Sequence, residues 1–392
     1  MTNQTRTKPK TVARRRRKFR PGRLNFLLLL AFIAALTLLV VLIVRKNSPQ
    51  TAGSTADAAA GQLLFNLSDH QADKLWAIGT DKLLEKKGTT LSLLSLDGQQ
   101  REVLFQDYDD PQIVSASGRV LIYELSGYRY NVIDANQNLY GGTTAAPIAG
   151  GALSDQGACA LILDTEDSKG QVSVYNTSGD KLFDWQAQDS TFSGYPIKLL
   201  FSPDGQTLDV ALYNTESNEP KSFINRFDLN QEQLGQRLAQ FQPDSTGPVG
   251  GLAYFDAGTM VAADDHQLFK LADGQIENWL SLGTIYSLTS VNEQVLLIAS
   301  ATVGDQASAY MLNTTTDSLP ETSLALGDQP SVPKISGNLA AVSSGQQLWL
   351  ISQGKLDSAR SYDLKSEITS FDLDSKGRIL CVTEDAVRLI KP

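Results

Sequence analysis

The sequence predicts an all-β fold that repeats a four-stranded antiparallel unit along the chain, preceded by one transmembrane helix. Three observations lead to this prediction. Short segments alternate apolar and polar residues with a period of two, as strands do. Turns marked by glycine recur at similar intervals over most of the 392 residues. A long uncharged apolar segment lies near the N-terminus.

The N-terminal residues are organised as in a membrane-anchored protein. Residues 1–23 carry ten lysines and arginines and no acid, and we expect them to form a basic cytoplasmic tail. Residues 24–46 are predicted to be a transmembrane signal-anchor helix, because Asn25 to Val44 provides 20 uncharged residues. A helix needs about 20 residues to cross roughly 30 Å of hydrocarbon. A cleaved signal peptide is the alternative, but its apolar region would span only about 7–15 residues.

Charge and composition predict the location and class of the remaining chain. Residues 47–61 are small and polar, and we expect them to form a flexible stalk. Positively charged flanks stay in the cytoplasm, so we expect a single-pass protein of the cell membrane whose domain at 62–392 is extracytoplasmic. Beyond residue 46 the chain holds 22 basic and 43 acidic residues, a net charge of −21. This charge excludes nucleic acid as a partner of the domain, whereas membrane lipid is the expected partner of the anchor and the basic tail.

A first series of turns connects pairs of short apolar segments. Seven of these turns are spaced along the chain, and six carry a glycine: Gly118, Gly157, Gly205, Gly258, Gly337 and Gly377. The first and last of these glycines are 259 residues apart over six intervals, so the repeat is about 43 residues long, which is typical of propeller blades. An eighth turn of this series is expected at 68–73, between LLFNL and KLWAIG.

A second series of turns alternates with the first. Its glycines are Gly98, Gly179, Gly274 and Gly354. Each repeat therefore supplies two hairpins, or four strands, which together form the blade of a β-propeller. We expect eight blades, with only three strands in the last unit at 367–391. Seven blades are the alternative, if the first and last segments merge into one blade that closes the ring.

The turn FSPDGQ at 201–206 resembles the turn between the first two strands of PD40/WD40-like blades. The whole chain resembles a family of uncharacterised, membrane-anchored β-propeller proteins of Gram-positive bacteria, and the resemblance covers the anchor and residues 62–392. It implies an architecture and carries no activity with it. The Trp-Asp and Gly-His dipeptides of true WD40 repeats are missing, so their biology is not transferred.

The residues that most often carry chemistry give no catalytic, cofactor-binding or metal site. The two histidines, His70 and His266, lie far apart in the sequence, and the acids before His266 are best explained by a hairpin turn. The loop at 164–170 holds three acids but lacks the spacing of a calcium loop. Cys159 and Cys381 occur in the second strands of different blades, where we expect buried free thiols that form no disulfide.

These observations favour a binding protein over an enzyme. We expect a non-enzymatic binding or scaffold module of the bacterial cell envelope, with no cofactor and with a protein or cell-wall partner on the propeller surface. The alternative is a carboxylate-dependent envelope hydrolase or lyase acting on a cell-wall or polysaccharide substrate, with its acids around the central channel. Glycosidases need only a pair of carboxylates, so the absence of longer motifs does not decide between the two.

Overall fold

The computed structural model describes residues 50–51, 55–58, 61–69, 72–99, 101–188, 192–216 and 218–391. These residues form an all-β propeller of eight four-stranded antiparallel blades. In the described part of the chain, no helix is long and apolar enough to cross a membrane. The predicted tail at 1–23 and the predicted transmembrane helix at 24–46 lie outside the described residues.

The first three strands precede the blades in the sequence, and the blades then follow one another along the chain. The first strands are β1 (Gln50–Thr51), β2 (Thr55–Ala58) and β3 (Gln62–Asn66), followed by a 3-10 turn at Leu67–Asp69. Blade 1 contains β4 (Lys74–Ile78), β5 (Lys82–Lys87), β6 (Thr90–Ser95) and β7 (Arg101–Phe105). Blade 2 contains β8 (Pro111–Ala116), β9 (Arg119–Glu124), β10 (Arg129–Asp134) and β11 (Asn138–Thr143). Blade 3 contains β12 (Ile148–Leu153), β13 (Cys159–Leu163), β14 (Gln171–Tyr175) and β15 (Lys181–Gln186).

The remaining five blades have the same order of strands. Blade 4 contains β16 (Tyr195–Phe201), β17 (Thr207–Asn214), β18 (Lys221–Asp228) and β19 (Arg237–Phe241). Blade 5 contains β20 (Gly251–Tyr254), β21 (Met260–Ala263), β22 (Gln267–Ala272) and β23 (Gln275–Ser281). Blade 6 contains β24 (Thr284–Val291), β25 (Gln294–Ser300), β26 (Ala307–Leu312) and β27 (Thr322–Gly327). Blade 7 contains β28 (Lys334–Ser336), β29 (Leu339–Ser344), β30 (Gln347–Ser352) and β31 (Lys355–Asp363). Blade 8 contains β32 (Ile368–Leu373), β33 (Ile379–Thr383), β34 (Ala386–Ile390) and, as its fourth strand, β3.

The turns between strands are built by short polar side chains that bond to their own backbone. At 201–206 the Ser202 hydroxyl donates to Asp204 (2.6 Å) and accepts the N–H of Thr207 (3.0 Å), while Asp204 accepts the N–H of Gln206 (3.1 Å). Gly205 has a φ of +71°, which an L side chain rarely adopts. Turns that combine Ser or Asp with a following glycine recur in other blades. The series of turns could therefore be recognised from the sequence.

The apolar core of the propeller is divided among the interfaces between blades. Eight clusters of buried hydrophobic residues each join two neighbouring blades, and together they occupy all eight interfaces, including that between blades 8 and 1. Cys159 and Cys381 lie in β13 and β33, the second strands of blades 3 and 8, as predicted. Both are fully buried free thiols, and burial raises the pKa of each to about 12.

Blade 8 closes the ring by combining the two ends of the propeller sequence. β3 pairs antiparallel with β34, so residues 62–66 supply the outer strand that the unit at 367–391 lacks. The prediction of eight blades is confirmed. The first and last segments of the domain do merge into one blade, which we expected only for a ring of seven blades. The turn predicted at 68–73 is wrong as a hairpin. β3 does not pair with β4, and the first hairpin of blade 1 instead turns at 79–81.

The chain before β3 also pairs with the propeller. β1 lies parallel to β27, and β2 lies parallel to β31, so they add fifth strands to the outer edges of blades 6 and 7. The segment 47–61, for which we expect a flexible stalk, therefore contains paired backbone at 50–51 and 55–58.

Polar side chains of β32 and the turn that follows it reinforce the closure on the blade 1 side. Ser370 accepts the N–H of Ala77 (3.1 Å), and Asp372 accepts the N–H of Gly79 (2.7 Å). Asp374 accepts a hydrogen bond from the Thr80 hydroxyl (3.2 Å). The three acceptors are spaced two residues apart, so the period of the strand directs them to the same neighbour.

The two carboxylates of this contact have pKa values shifted in opposite directions. Burial raises the pKa of Asp372 above its usual 3.8, although Lys334 and the N–H of Gly79 oppose the shift. Burial also raises the pKa of Asp374, but hydrogen bonds from the Arg378 side chain and from the Arg378 and Lys376 backbone outweigh it, so its pKa is lowered. Asp372 therefore stabilises the fold most below its unfolded pKa, and this contribution is lost as the pH rises through the folded pKa. The contribution of Asp374 is present above its unfolded pKa and is lost as the pH falls.

We predict that Asp372→Asn and Asp374→Asn differ in the pH dependence of their stability. The stability of Asp372→Asn relative to the unmodified protein should rise between about pH 4 and pH 7, because the variant removes a charge that burial disfavours. The relative stability of Asp374→Asn should instead fall as the pH rises to about 4, because the ionised hydrogen bonds of Asp374 become fully stabilising between its folded and unfolded pKa values. Urea denaturation of the purified full-length protein at several pH values measures both slopes. Slopes of the same sign would contradict the assignment.

Candidate functional site

The first candidate site is a cavity of about 280 Å³ between the inner strands of blades 1, 2, 7 and 8. Its basic residues are Lys74 and Lys334, and several hydroxyls line it as well. Lys334 donates to the Ser115 hydroxyl across the cavity (3.4 Å), and the Lys74 ammonium lies 5.0 Å from the centre of the Trp76 ring. Two further hydroxyls are engaged by backbone, because Ser331 accepts the N–H of Ser343 and Ser370 accepts that of Ala77. The cavity therefore offers few polar groups to a ligand.

The inner strands of the eight blades carry a single carboxylate, Asp372, among their described residues. Asp372 holds the Gly79 backbone, and the next acid along the chain, Asp374, is bonded to Thr80 and Arg378. The carboxylates at this point of the ring therefore join blade 8 to blade 1. A glycosidase requires one acid and one base or nucleophile that are both free to act on substrate.

The second and larger candidate is a groove of about 630 Å³ between blades 3 and 4. We call it the blade 3–4 groove. Its lining includes two aromatic side chains, Trp185 and Phe192, and four side-chain amides, those of Gln171, Gln186, Gln188 and Asn225. One acid, one base and one hydroxyl complete it: Asp184, Arg237 and Ser193. The volume falls within the range of small-molecule sites.

Strand pairing and the following connection position the walls of this groove. Trp185 pairs with Val172 across β14 and β15, and its ring packs against Phe227 of blade 4 with centroids 5.1 Å apart. The connection after β15 is held by its backbone, because Asn214 donates to the carbonyl of Ser193 (2.5 Å) and Gln240 donates to that of Phe192 (2.8 Å). The Phe192 side chain itself remains 65% exposed.

Several polar side chains of the groove have no partner within the described residues. The side-chain oxygens of Asn225 and Ser193 are buried and accept no hydrogen bond. Among the described residues, the Arg237 guanidinium forms no ion pair, and the Gln186 and Gln188 amides form no hydrogen bond. Buried polar groups are nearly always satisfied in folded proteins, so the groove has the composition of a binding surface.

The neighbouring interface between blades 4 and 5 contains a buried ionic network with a different character. The Arg226 guanidinium donates to both carboxylate oxygens of Asp209 (2.9 and 3.1 Å), and the Tyr254 hydroxyl donates to the same carboxylate. Asp209 is completely buried, and burial raises its pKa while Arg226 and Tyr254 oppose the rise. All of these groups are satisfied by one another, so the network is a structural contact.

His266 and the loop at 164–170, which the sequence analysis considered as possible sites, make contacts that are structural. Asp264 accepts the N–H groups of His266 and Gln267 (2.8 and 2.7 Å), as expected for a hairpin turn, and His266 Nδ1 lies 2.6 Å from the carbonyl of Gly283. In the loop at 164–170, Lys169 is buried and pairs with Glu216 of the next blade (2.8 Å). His70 lies outside the described residues.

Comparison with known proteins agrees with the fold. The chain belongs to a family of unknown function, DUF5711, whose model matches residues 76–315. The chain is similar to the crystal structure of BamB from Moraxella catarrhalis, with a TM-score of 0.51 and 13% identity over 81% of this chain and 95% of that one. It is also similar to apo AztD from Citrobacter koseri (TM-score 0.49, 9% identity, 78% and 87% covered) and to the Pan2 WD40 domain from Neurospora crassa (0.49, 12%, 69% and 85%). No curated protein matches the sequence.

We predict that Asp209→Leu destabilises the protein by about 3–5 kcal/mol, because it leaves the Arg226 guanidinium without its carboxylate at a buried interface. The double variant Asp209→Leu/Arg226→Met should be more stable than the single one, since it removes the unpaired charge as well. Urea denaturation of the unmodified protein, Asp209→Leu, Arg226→Met and the double variant measures the coupling. Equal stability of the single and double variants would show that the pair is not coupled.

Proposed function

We propose that this protein is a membrane-anchored extracytoplasmic β-propeller that acts as a non-enzymatic binding or scaffold module of the bacterial cell envelope. The blade 3–4 groove is the observation that carries the binding role. It presents hydrogen-bonding side chains that have no partner among the described residues. Strands of blades 3 and 4, which pack against each other, form its walls. Rigid elements are better suited than loops to present a precise binding surface.

The membrane location in this proposal rests on the sequence. The apolar segment at 25–44 is long enough to span the bilayer, and the ten bases that precede it favour a cytoplasmic N-terminus. The basic tail would then also attract anionic lipid. A protein or cell-wall partner would bind the propeller on the outer side of the membrane.

The alternative, a carboxylate-dependent envelope hydrolase or lyase, has less support. Asp372 is the one carboxylate of the inner strands in the described chain, and its bond to Gly79 contributes to ring closure. Turnover of a wall polysaccharide that disappears in Asp372→Asn, with the fold retained, would favour the enzyme over the binding module.

Site-specific crosslinking in intact cells tests the binding role. A photoreactive residue at Gln188, in the groove, should give a discrete crosslinked product that mass spectrometry identifies as protein or wall polymer. The matched control is the same residue at Gln275, an exposed glutamine of blade 5 outside the groove. The product should also be lost when Phe192→Ser is combined with the probe at Gln188. Equal products at both positions, or none at Gln188, would contradict a binding role for the groove.

Protease treatment tests the proposed topology. Protease added to intact cells stripped of their wall should remove everything after about residue 46 and spare the basic tail, because the membrane protects the cytoplasmic side. Immunoblots with tags at each end measure the products. A soluble, already cleaved domain from untreated cells would instead identify a signal peptide.

A further inference from the structure

The groove between blades 3 and 4 also indicates the chemistry of what it binds. We infer that the blade 3–4 groove is a site for an uncharged oligosaccharide, an inference that rests on the proposed binding function. Three properties of the groove lead to it: its charge balance, its aromatic surface and its set of free hydrogen-bonding groups.

The charge balance of the groove disfavours a polyanion or a cation as its ligand. The groove contains one acid and one base, although the domain as a whole has an excess of acids. Asp184 is already engaged, because it accepts a hydrogen bond from Ser173 (2.6 Å) and pairs with Lys181 (3.0 Å). A polyanion would need clustered cations, and Arg237 is the one base of the described lining.

The polar groups of the groove match a ligand with many hydroxyls. A side-chain amide offers both a carbonyl acceptor and two N–H donors, and the guanidinium offers five donors in a fixed plane. A hydroxyl both donates and accepts, so it can bond to each of these groups. Among the described residues, no hydrogen-bond partner contacts the side-chain amides of Gln186 and Gln188 or the guanidinium of Arg237. The buried side-chain oxygen of Asn225 also accepts no hydrogen bond there.

The aromatic side chains provide the apolar surface that a sugar ring requires. Phe192 is largely exposed although its backbone is fixed by Gln240, so its ring is held at the groove without being covered. The Trp185 indole N–H donates no hydrogen bond within the described chain, so this ring offers a donor next to an apolar surface. The C–H surface of a pyranose can pack on such rings while its hydroxyls reach the amides.

An extended peptide is a different class of ligand and fits the groove less well. Peptides that add a strand to a sheet edge gain their specificity from pockets for alternate side chains. No aliphatic side chain is among the described residues that line this groove. The amide-rich lining, with one acid and one base, favours the oligosaccharide, and peptide binding is retained as an outcome of the test.

Binding of defined sugars to the full-length protein tests the inference. The protein is held in a detergent that has no sugar headgroup and is titrated with chitotetraose, cellotetraose, maltotetraose and mannotetraose, with saturation-transfer NMR and calorimetry as readouts. We expect at least one of these tetrasaccharides to bind. Phe192→Ser and Arg237→Ala should each weaken its binding by about tenfold or more, a loss of about 1.4 kcal/mol. Tyr128→Ser, which removes another exposed aromatic ring that does not line the groove, should bind like the unmodified protein.

Each other outcome is decisive. Binding that is unaffected by both groove variants would place the sugar elsewhere and overturn the inference. No binding of any tetrasaccharide at millimolar concentration would overturn it as well. Selective capture of peptides from a random heptapeptide library, lost in Phe192→Ser, would also overturn it. In these cases a groove-specific crosslink at Gln188 in cells would leave the proposed binding function standing, whereas its absence would remove that function too.

Discussion

The constraint on which the structure depends is the closure of the ring in blade 8. The apolar core is divided among eight interfaces, and each cluster is complete only when both of its blades are present. The interface between blades 8 and 1 needs Leu64 and Phe65 of the N-terminal segment as well as residues of β33 and β34. Closing this contact joins segments that lie more than 300 residues apart, so its entropic cost must be offset by strand pairing and burial. An open ring would also expose strand edges that favour aggregation.

The division of the core among the interfaces also helps to distinguish structural contacts from binding sites. Buried apolar residues fill the interfaces, so a buried polar side chain at an interface is an exception that marks a special position. Two neighbouring interfaces show the difference. Between blades 4 and 5, Asp209, Arg226 and Tyr254 satisfy one another and form a closed contact. Between blades 3 and 4, the buried side-chain oxygens of Asn225 and Ser193 have no hydrogen-bond partner in the described part of the chain, and both residues line the blade 3–4 groove. The first arrangement contributes to structure, and the second is suited to binding.

Much of the architecture could be predicted from the sequence because its determinants are local. Alternation with a period of two and turns such as Ser202–Gly205 depend on a few adjacent residues, so the first hairpins of blades 2 to 8 could be located from them. The pairing of β3 could not be predicted in the same way. A turn-like stretch follows it, and whether residues 62–66 pair with β4 or with β34 is decided by residues at the far end of the chain.

The groove was missed for a related physical reason. Its lining comes from β14, β15, the connection after β15 and blade 4, and each piece alone looks like an ordinary strand or loop. The one local signal is Asn225, a side-chain amide within the apolar strand SFINRF. Asp209 within LDVAL gives the same kind of signal, yet its partners make it a structural residue. A buried polar residue in a strand thus marks a special position, and its surroundings in space decide which role it has.

The N-terminal strands and the blade 3–4 groove lie at different positions around the ring. β1, β2 and β3 lie at the outer edges of blades 6, 7 and 8, whereas the groove lies between blades 3 and 4. In a ring of eight blades these positions are on opposite sides. A partner bound in the groove would therefore not compete with the strands that cover blades 6 and 7 or with the strand that closes the ring. The same N-terminal segment can thus hold the propeller closed while the opposite side remains free to bind.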